Sequence, residues 1–248
     1  MTLPQAQTID AALSEFDPAR WRAPVIPRYL EQVYWWAYVH PKAVALFERE
    51  WLVSAILFGH YSQLRDAALA GLAPPGQPVQ GSTLQVACVY GNLTSRLLRR
   101  SAPDARLDVV DILPIQLHNL GKKLPPDARV ALMQGDASSL ACPDASHDQV
   151  LLFFLLHEQP KAVRSATLAE VMRVVKPGGK VVIVDYHRPS RWHWVRPLMR
   201  LVFRKLEPFA MDLWDHELLD FMPPQGLPRS QVKQTYFGGL YQKLVLTR

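Results

Sequence analysis

A chain of 248 residues with 49% apolar content can bury a sizeable core, as one α/β domain with additions or as two small domains. Two cysteines, Cys88 and Cys142, form no C-x-x-C pair, which argues for reduced thiols in a cytosolic protein and against a metal-binding cysteine pair. The longest apolar run, Val150 to Leu156, is far below the roughly 20 residues that span a bilayer, while a formal charge of +6 and a pI of about 9.4 favour an anionic surface, either nucleic acid or lipid headgroups.

Residues 1–24 carry little pattern and show no secretory leader. From Pro27 the chain turns aromatic, through Tyr29, Tyr34, Trp35, Trp36 and Tyr38. Pro41 suits the first turn of a helix, on which Val44, Phe47, Trp51, Ala55 and Phe58 recur at helical spacing. A second helix runs through Tyr61, Leu64, Ala68 and Leu69, and Pro74-Pro75-Gly76-Gln77-Pro78 ends it as a linker. Residues 1–78 are therefore expected to form an N-terminal helical extension. Its aromatics either pack on the main domain or make a lid over an apolar substrate, with Tyr34 and Tyr38 as candidate substrate contacts.

The α/β pattern occupies residues 79–248. Leu84 to Thr94 reads as a buried strand, a tight turn and a helix start, with Asn92 as the candidate N-cap. In a doubly wound protein this first turn grips a nucleotide-like cofactor, and glycines let its backbone approach the ligand. Here only Gly91 remains: Ala87 and Val89 stand where glycines are expected, and Gln85 where an acid is expected. A β-branched Val89 should crowd the turn and resist positive φ. Arg106 to Asp111, Arg129 to Met133, Asp148 to Leu156 and Lys180 to Asp185 read as further strands. Helices from Pro114 and over Lys161 to Val175 alternate with them, which implies a parallel sheet. After Asp185 the alternation breaks. Residues 186–229 read as largely helical, and Val232–Phe237 and Leu240–Thr247 as a closing hairpin turned by Gly238-Gly239.

Ligands of such sheets sit at the carboxyl ends of the strands. Asp111 closes the second strand, twenty residues after Gly91, an interval at which an acid accepts hydrogen bonds from ribose hydroxyls. The candidate cofactor contacts are thus Ala87, Val89, Tyr90 and Gly91 in the turn, Asp111 and Ile112 after the second strand, and Asp136 and Ala137 after the third. The fourth and fifth strands end in His157-Glu158 and Asp185-Tyr186-His187. His157, Glu158, Tyr186 and His187 are the catalytic candidates, for proton transfer or, at His187 and Glu158, for a divalent metal. Tyr236 is a further candidate substrate contact. Residues 187–205 contain no acid and interleave Trp192, Trp194, Leu198 and Leu201 with Arg191, Arg196, Arg200 and Arg204. This is the make-up either of a helix that lies in a lipid interface or of a solvated basic face over a buried stripe. Its aliphatic residues stack poorly on bases, so a nucleic-acid partner is not expected. The region 187–229 therefore reads as a membrane-facing insertion, and the protein as cytoplasmic and peripheral at the inner face of the cytoplasmic membrane.

The successive motifs, from Leu84–Thr94 through Asp111, Gly135-Asp136 and Arg173–Lys180, resemble those of class I methyltransferases. That resemblance implies a Rossmann-like, seven-stranded, mostly parallel sheet with an antiparallel C-terminal hairpin. Tyr34–Pro41, Val86–Asn92, Leu152–Gln159 and Thr235–Gln242 are more specifically similar to the bacterial rhodoquinone biosynthesis (RquA) family. This second resemblance covers nearly the whole chain from Pro27. It implies conversion of ubiquinone to rhodoquinone by exchange of a ring methoxy for an amino group, with S-adenosylmethionine as nitrogen source, Mn²⁺ in support, and a role in anaerobic respiration. Two rival readings remain: a conventional quinone or phenol methyltransferase, and a non-catalytic protein that binds quinone or cofactor.

Overall fold

The computed structural model describes residues 25–34 and 47–248, except the side chain at 225. The expected aromatic run 35–40, with Tyr38, and the helix start at Pro41 lie outside the described residues. In chain order the elements are α1 (Arg28–Val33), α2 (Glu50–Ile56), α3 (Tyr61–Leu72), β1 (Ser82–Val86), α4 (Leu93–Arg100), β2 (Arg106–Asp111), α5 (Pro114–Lys123), β3 (Val130–Gln134), β4 (His147–Phe153), α6 (Lys161–Val174), β5 (Val175–Tyr186), α7 (Arg196–Lys205), α8 (Asp212–Asp215), β6 (Ser230–Tyr236) and β7 (Tyr241–Thr247).

The seven strands form one sheet in the order β3-β2-β1-β4-β5-β7-β6. β1 to β5 pair in parallel, and β7 runs antiparallel to both β5 and β6. The apolar runs dictate this placement. Val150 to Leu152 and Val181 to Val184 are fully buried, as strands covered on both faces must be. α3 lies on β5, β4 and β7, and Gly71 lets it approach: a Cβ there would stand 2.9 Å from Val182. This helix therefore packs on the sheet. β6 is the outer strand, and its residues 230–235 are exposed.

The sheet reverses its winding between β1 and β4, so the carboxyl ends of β1 to β4 open onto one crevice. Two local readings differ from expectation. β5 begins at Val175, directly after α6, rather than at Lys180. Residues 176–179 make a bulge against β4, where Gly178 has φ +79° and a Cβ on Gly179 would stand 2.6 Å from the Asp148 carbonyl. The stretch 186–229 is less helical than expected: only α7, the single turn α8 and two 3₁₀ turns at Leu218–Phe221 and Pro224–Gly226 are regular. Four prolines within 208–228 interrupt it. No helix among the described residues is long and apolar enough to cross a membrane.

Candidate active site

A cavity of about 220 Å³ opens at the carboxyl ends of β1, β2, β3 and β4. Its first wall is the turn after β1. Positive φ falls on Ala87 (+72°), where a glycine is expected, and on Gly91 (+83°), not on Val89, so the β-branched residue avoids the left-handed region. Gln85 explains how the turn holds without its glycines. The Gln85 amide donates to the Ala87 carbonyl at 2.9 Å, and its Oε1 accepts from the Thr94 hydroxyl at 3.0 Å. From α3, the Tyr61 hydroxyl donates to the Tyr90 carbonyl at 3.2 Å and accepts from Asn92 N at 2.9 Å. A Cβ on Gly91 would stand 2.5 Å from that hydroxyl, which is why glycine survives there. Burial pushes the Tyr61 hydroxyl up to about 12, so it stays protonated. Asn92 occupies the N-cap position of α4, but its side chain makes no cap. It pairs instead with Arg65 at 2.9 Å and Glu50 at 2.7 Å.

Asp111 and Asp136 follow from the next two strands. Asp111 Oδ2 accepts from Cys88 N at 2.7 Å and its Oδ1 from Leu113 N at 2.8 Å, tying the turn after β1 to the start of α5. Burial raises the carboxyl to about 6, against the lowering effect of those N–H groups. Asp136 Oδ1 accepts from both the backbone and hydroxyl of Ser138, at 2.8 and 2.7 Å. Ala87, Val89, Tyr90, Asp111, Ile112, Asp136 and Ala137 all line the cavity; Gly91 stands just behind it. The Cys88 thiol also faces the cavity, and burial holds it well above the usual thiol range, so it is no nucleophile.

The opposite wall carries the titratable cluster. His157 and Glu158 sit in a 3₁₀ turn, Leu156–Glu158, after β4, and Tyr186 ends β5. Asp185 is fully buried and organises them. Its Oδ2 accepts from Leu156 N (2.8 Å) and His157 N (3.3 Å), and its Oδ1 accepts from Tyr186 N (2.7 Å) and lies 2.9 Å from His157 Nδ1. An acceptor so placed puts the proton on Nδ1. His157 Nε2 then faces Glu158 Oε1 at 3.7 Å and Glu207 Oε2 at 3.9 Å. Burial works to lower the pKa of His157, but the carboxylates of Asp185, Glu207 and Glu158 outweigh it and raise the group to about 9. Burial raises the Glu207 carboxyl as well, opposed by His157 and the Tyr34 hydroxyl. The Tyr186 ring meets His157 edge-on at 4.9 Å, and burial keeps its phenol protonated.

Other expected contacts fall elsewhere. His187 does not line the cavity: Nδ1 bonds the Gly239 carbonyl at 2.9 Å, while Nε2 meets Lys233 at 3.0 Å and Glu217 at 3.6 Å. The strand turns outward after Tyr186, so the pairing of His187 with Glu158 around a metal is corrected. Among the described residues no group of three or more His, Cys, Asp or Glu side chains is disposed to hold a metal ion, and Mn²⁺ finds no fit there. Tyr236 donates to Gln234 at 3.0 Å on the outer strand, also away from the cavity. Tyr34 is buried behind Glu207 rather than lining the cavity, and Tyr38 is outside the described residues. Sequence reasoning missed Glu207, Tyr29 and Phe47, which do line it. Glu207 had a signal: Met199, Phe203 and Glu207 recur every four residues, and Glu207 is the first acid after an acid-free stretch.

Sheet order and cavity place the protein among the α/β proteins that bind a cofactor at the carboxyl ends of parallel strands. A family profile described as "Methyltransferase domain" matches residues 83–179. An uncharacterized methyltransferase of Synechocystis sp. is 31% identical over 66% of this chain and 71% of its own length. A ubiquinone/menaquinone biosynthesis C-methyltransferase of Nitrobacter hamburgensis is 30% identical over 49% of this chain, which spans about half of that relative (49%). Human N-acetylserotonin methyltransferase, solved with S-adenosylmethionine, superposes with a TM-score of 0.60 over 97% of this chain and 65% of its own, at 16% identity. The chain belongs to the class I S-adenosylmethionine-dependent methyltransferase family. The residues present fit that cofactor in kind: Asp111 is a carboxyl at the end of β2 on the cavity wall, of the type that accepts from ribose hydroxyls, and the acids of the cavity suit a sulfonium cation.

Proposed function

We propose that this enzyme replaces a methoxy group on the ring of an isoprenoid quinone, ubiquinone, with an amino group. S-adenosylmethionine, when bound, would supply the nitrogen, whose bond to the cofactor's α-carbon would then break with water providing a hydrogen to the nitrogen and a hydroxyl to that carbon. The observation that carries this reading is the turn Ala87-Cys88-Val89-Tyr90. It is held by Gln85 and Tyr61 on a path without glycines, and Val89 projects into the cavity where a methyl-transferring site keeps room for the cofactor's amino-acid end. The chain's own part in the chemistry is to hold and move protons. His157 presents Nε2 to the cavity and can hydrogen-bond a ring carbonyl, which makes the methoxy-bearing carbon at the far end of the conjugated ring double bond electrophilic. Tyr186 and Phe154 bracket the imidazole edge-on and keep water away.

Ring methylation of a quinone or phenol is the second reading, and the name of the Nitrobacter hamburgensis relative favours it. Expression in a bacterium that makes ubiquinone but no aminoquinone, followed by mass analysis of extracted quinones, separates the two. A new quinone that has lost methoxy and gained amino supports amination; a quinone with one added methyl supports methylation.

The substrate class asks for a membrane-facing surface. Trp192 and Trp194 are 82% and 72% exposed, Leu198 and Leu201 stand out beside them, and arginines 191, 196, 200 and 204 surround them. Phe58 packs edge-on against Trp194 and follows directly in sequence on Ile56 and Leu57, which line the cavity. An anionic bilayer fits it. The double substitution W192A/W194A is expected to weaken binding to phosphatidylglycerol vesicles by about tenfold, measured by co-sedimentation. Equal binding by the double variant would rule this surface out.

A further inference from the structure

We propose that Glu207 is a positioning residue of the reaction. Delivered into the cavity by the buried stripe of α7, it faces Glu158 across His157 Nε2 and, with Asp185 behind the ring, holds that nitrogen as proton donor to a ring oxygen of the quinone. The inference rests on the proposed quinone chemistry and adds to it a residue from outside the strand ends.

The placement follows from the sequence of α7. Met199 and Phe203 are buried, while Leu198, Leu201 and the arginines of the same helix face outward. The helical path continues past Lys205, since Leu206 N donates to the Val202 carbonyl and Glu207 N to the Phe203 carbonyl. Glu207 therefore extends the buried face by one more turn and reaches the cavity. Phe203 sets its depth by packing edge-on against Tyr186 at 4.9 Å and Trp214 at 5.2 Å.

A buried carboxyl at this position needs support, and Arg164 supplies it. Arg164 is fully buried, donates to the carbonyls of Leu156 (2.8 Å), Gln159 (2.8 Å) and Phe209 (2.9 Å), and pairs with Asp212 at 3.1 Å. One guanidinium thus clamps the turn that carries His157 to the segment that carries Glu207. Tyr34 supports Glu207 from α1's end. The result is an imidazole fixed on one side by a 2.9 Å contact and flanked on the other by two carboxylates at 3.7 and 3.9 Å. Both are too far for a direct hydrogen bond and close enough to orient the N–H.

The proton balance is simple. As the nitrogen nucleophile adds to the methoxy-bearing carbon, the electron pair of the ring double bond shifts to the carbonyl conjugated with it, whose oxygen receives the Nε2 proton. When the carbonyl re-forms and the carbon–oxygen bond to methoxide breaks, the oxygen returns that proton to Nε2. The proton shed by the nitrogen leaves with methoxide as methanol.

The test uses the full-length enzyme with a short-tailed ubiquinone. E207Q keeps the shape of the side chain, and it is expected to lower kcat about tenfold or more with KM within about twofold. In the unliganded protein its ¹⁵N signals of the His157 ring should shift, which a merely structural residue would not cause. E207D should recover part of kcat. Y34F, which keeps Glu207 but removes its neighbour's hydroxyl, should shift the same signals in the same direction and stands in if E207Q does not fold. Unchanged kcat and unchanged His157 signals in E207Q, or unchanged signals in Y34F where E207Q is unfolded, overturn the proposal. Wild-type enzyme that methylates the ring instead refutes the amination reading alone, because the ring signals of His157 are read without turnover.

Discussion

Asp185→Ala is expected to lower stability by about 3–5 kcal/mol, the usual result of removing one partner from a buried ionic pair. The native carboxylate, at zero exposure, accepts from three backbone N–H groups and holds His157 Nδ1, all of them on buried residues. Alanine leaves those donors without a partner in a site that water does not reach. The loss should also depend on pH. His157 is raised from 6.5 to about 9 in the folded protein. A raised pKa stabilises the fold fully below the unfolded value and ceases to do so as pH climbs through the folded one. Wild type should therefore lose stability between about pH 6.5 and 9, and Asp185→Ala should show a flatter profile over that interval. Urea denaturation at several pH values checks both parts. A variant as stable as wild type at pH 7 would show that the cluster contributes nothing to the fold.

The second large effect concerns the cofactor. Asp111→Ala is expected to weaken S-adenosylhomocysteine binding by about 100-fold, since hydrogen bonds to a charged group are worth roughly 1.5–3 kcal/mol each and two ribose hydroxyls are in question. Part of the loss is indirect, because Cys88 N and Leu113 N lose their acceptor and the turn after β1 loosens. The pH dependence has a definite sign. Burial raises this carboxyl to about 6, so its charged form becomes scarce below that pH. Affinity should be flat above pH 7 and fall by up to about tenfold per unit below about 6. The charge acts oppositely on the apoprotein, whose stability should decline as pH rises from about 4 to 6. Calorimetric titration at pH 5 and 7.5 separates the two. Unchanged affinity in Asp111→Ala would take Asp111 out of the cofactor site.

Much of the scaffold could be read from residue pattern, and the reasons are local. Val150 to Leu152 of β4 and Val181 to Val184 of β5 are apolar runs that only a doubly covered strand tolerates, and Asp111, Asp136 and His157 mark where the chain leaves the sheet. The antiparallel pair at the end followed from Gly238-Gly239 between two strand-like runs. Other features depend on groups far apart in sequence. Gln85 reads as a missing acid until its amide is seen holding the turn. Asn92 reads as a helix cap until Arg65 and Glu50, from two earlier helices, are seen to claim it. His187 reads as the neighbour of Tyr186, yet β5 ends at Tyr186, and the Gly239 carbonyl holds the histidine away from the cavity. Glu207 lies 50 residues beyond His157 in sequence, and only the packing of α7 brings the two together.

The most direct measurement is one incubation of the purified protein with ubiquinone of short tail and S-adenosylmethionine labelled with ¹⁵N at its amino group, read by mass spectrometry. The account predicts a quinone that has lost one methoxy group and gained an amino group bearing the label. A quinone with one added methyl group and no label would contradict it and make the protein a ring methyltransferase.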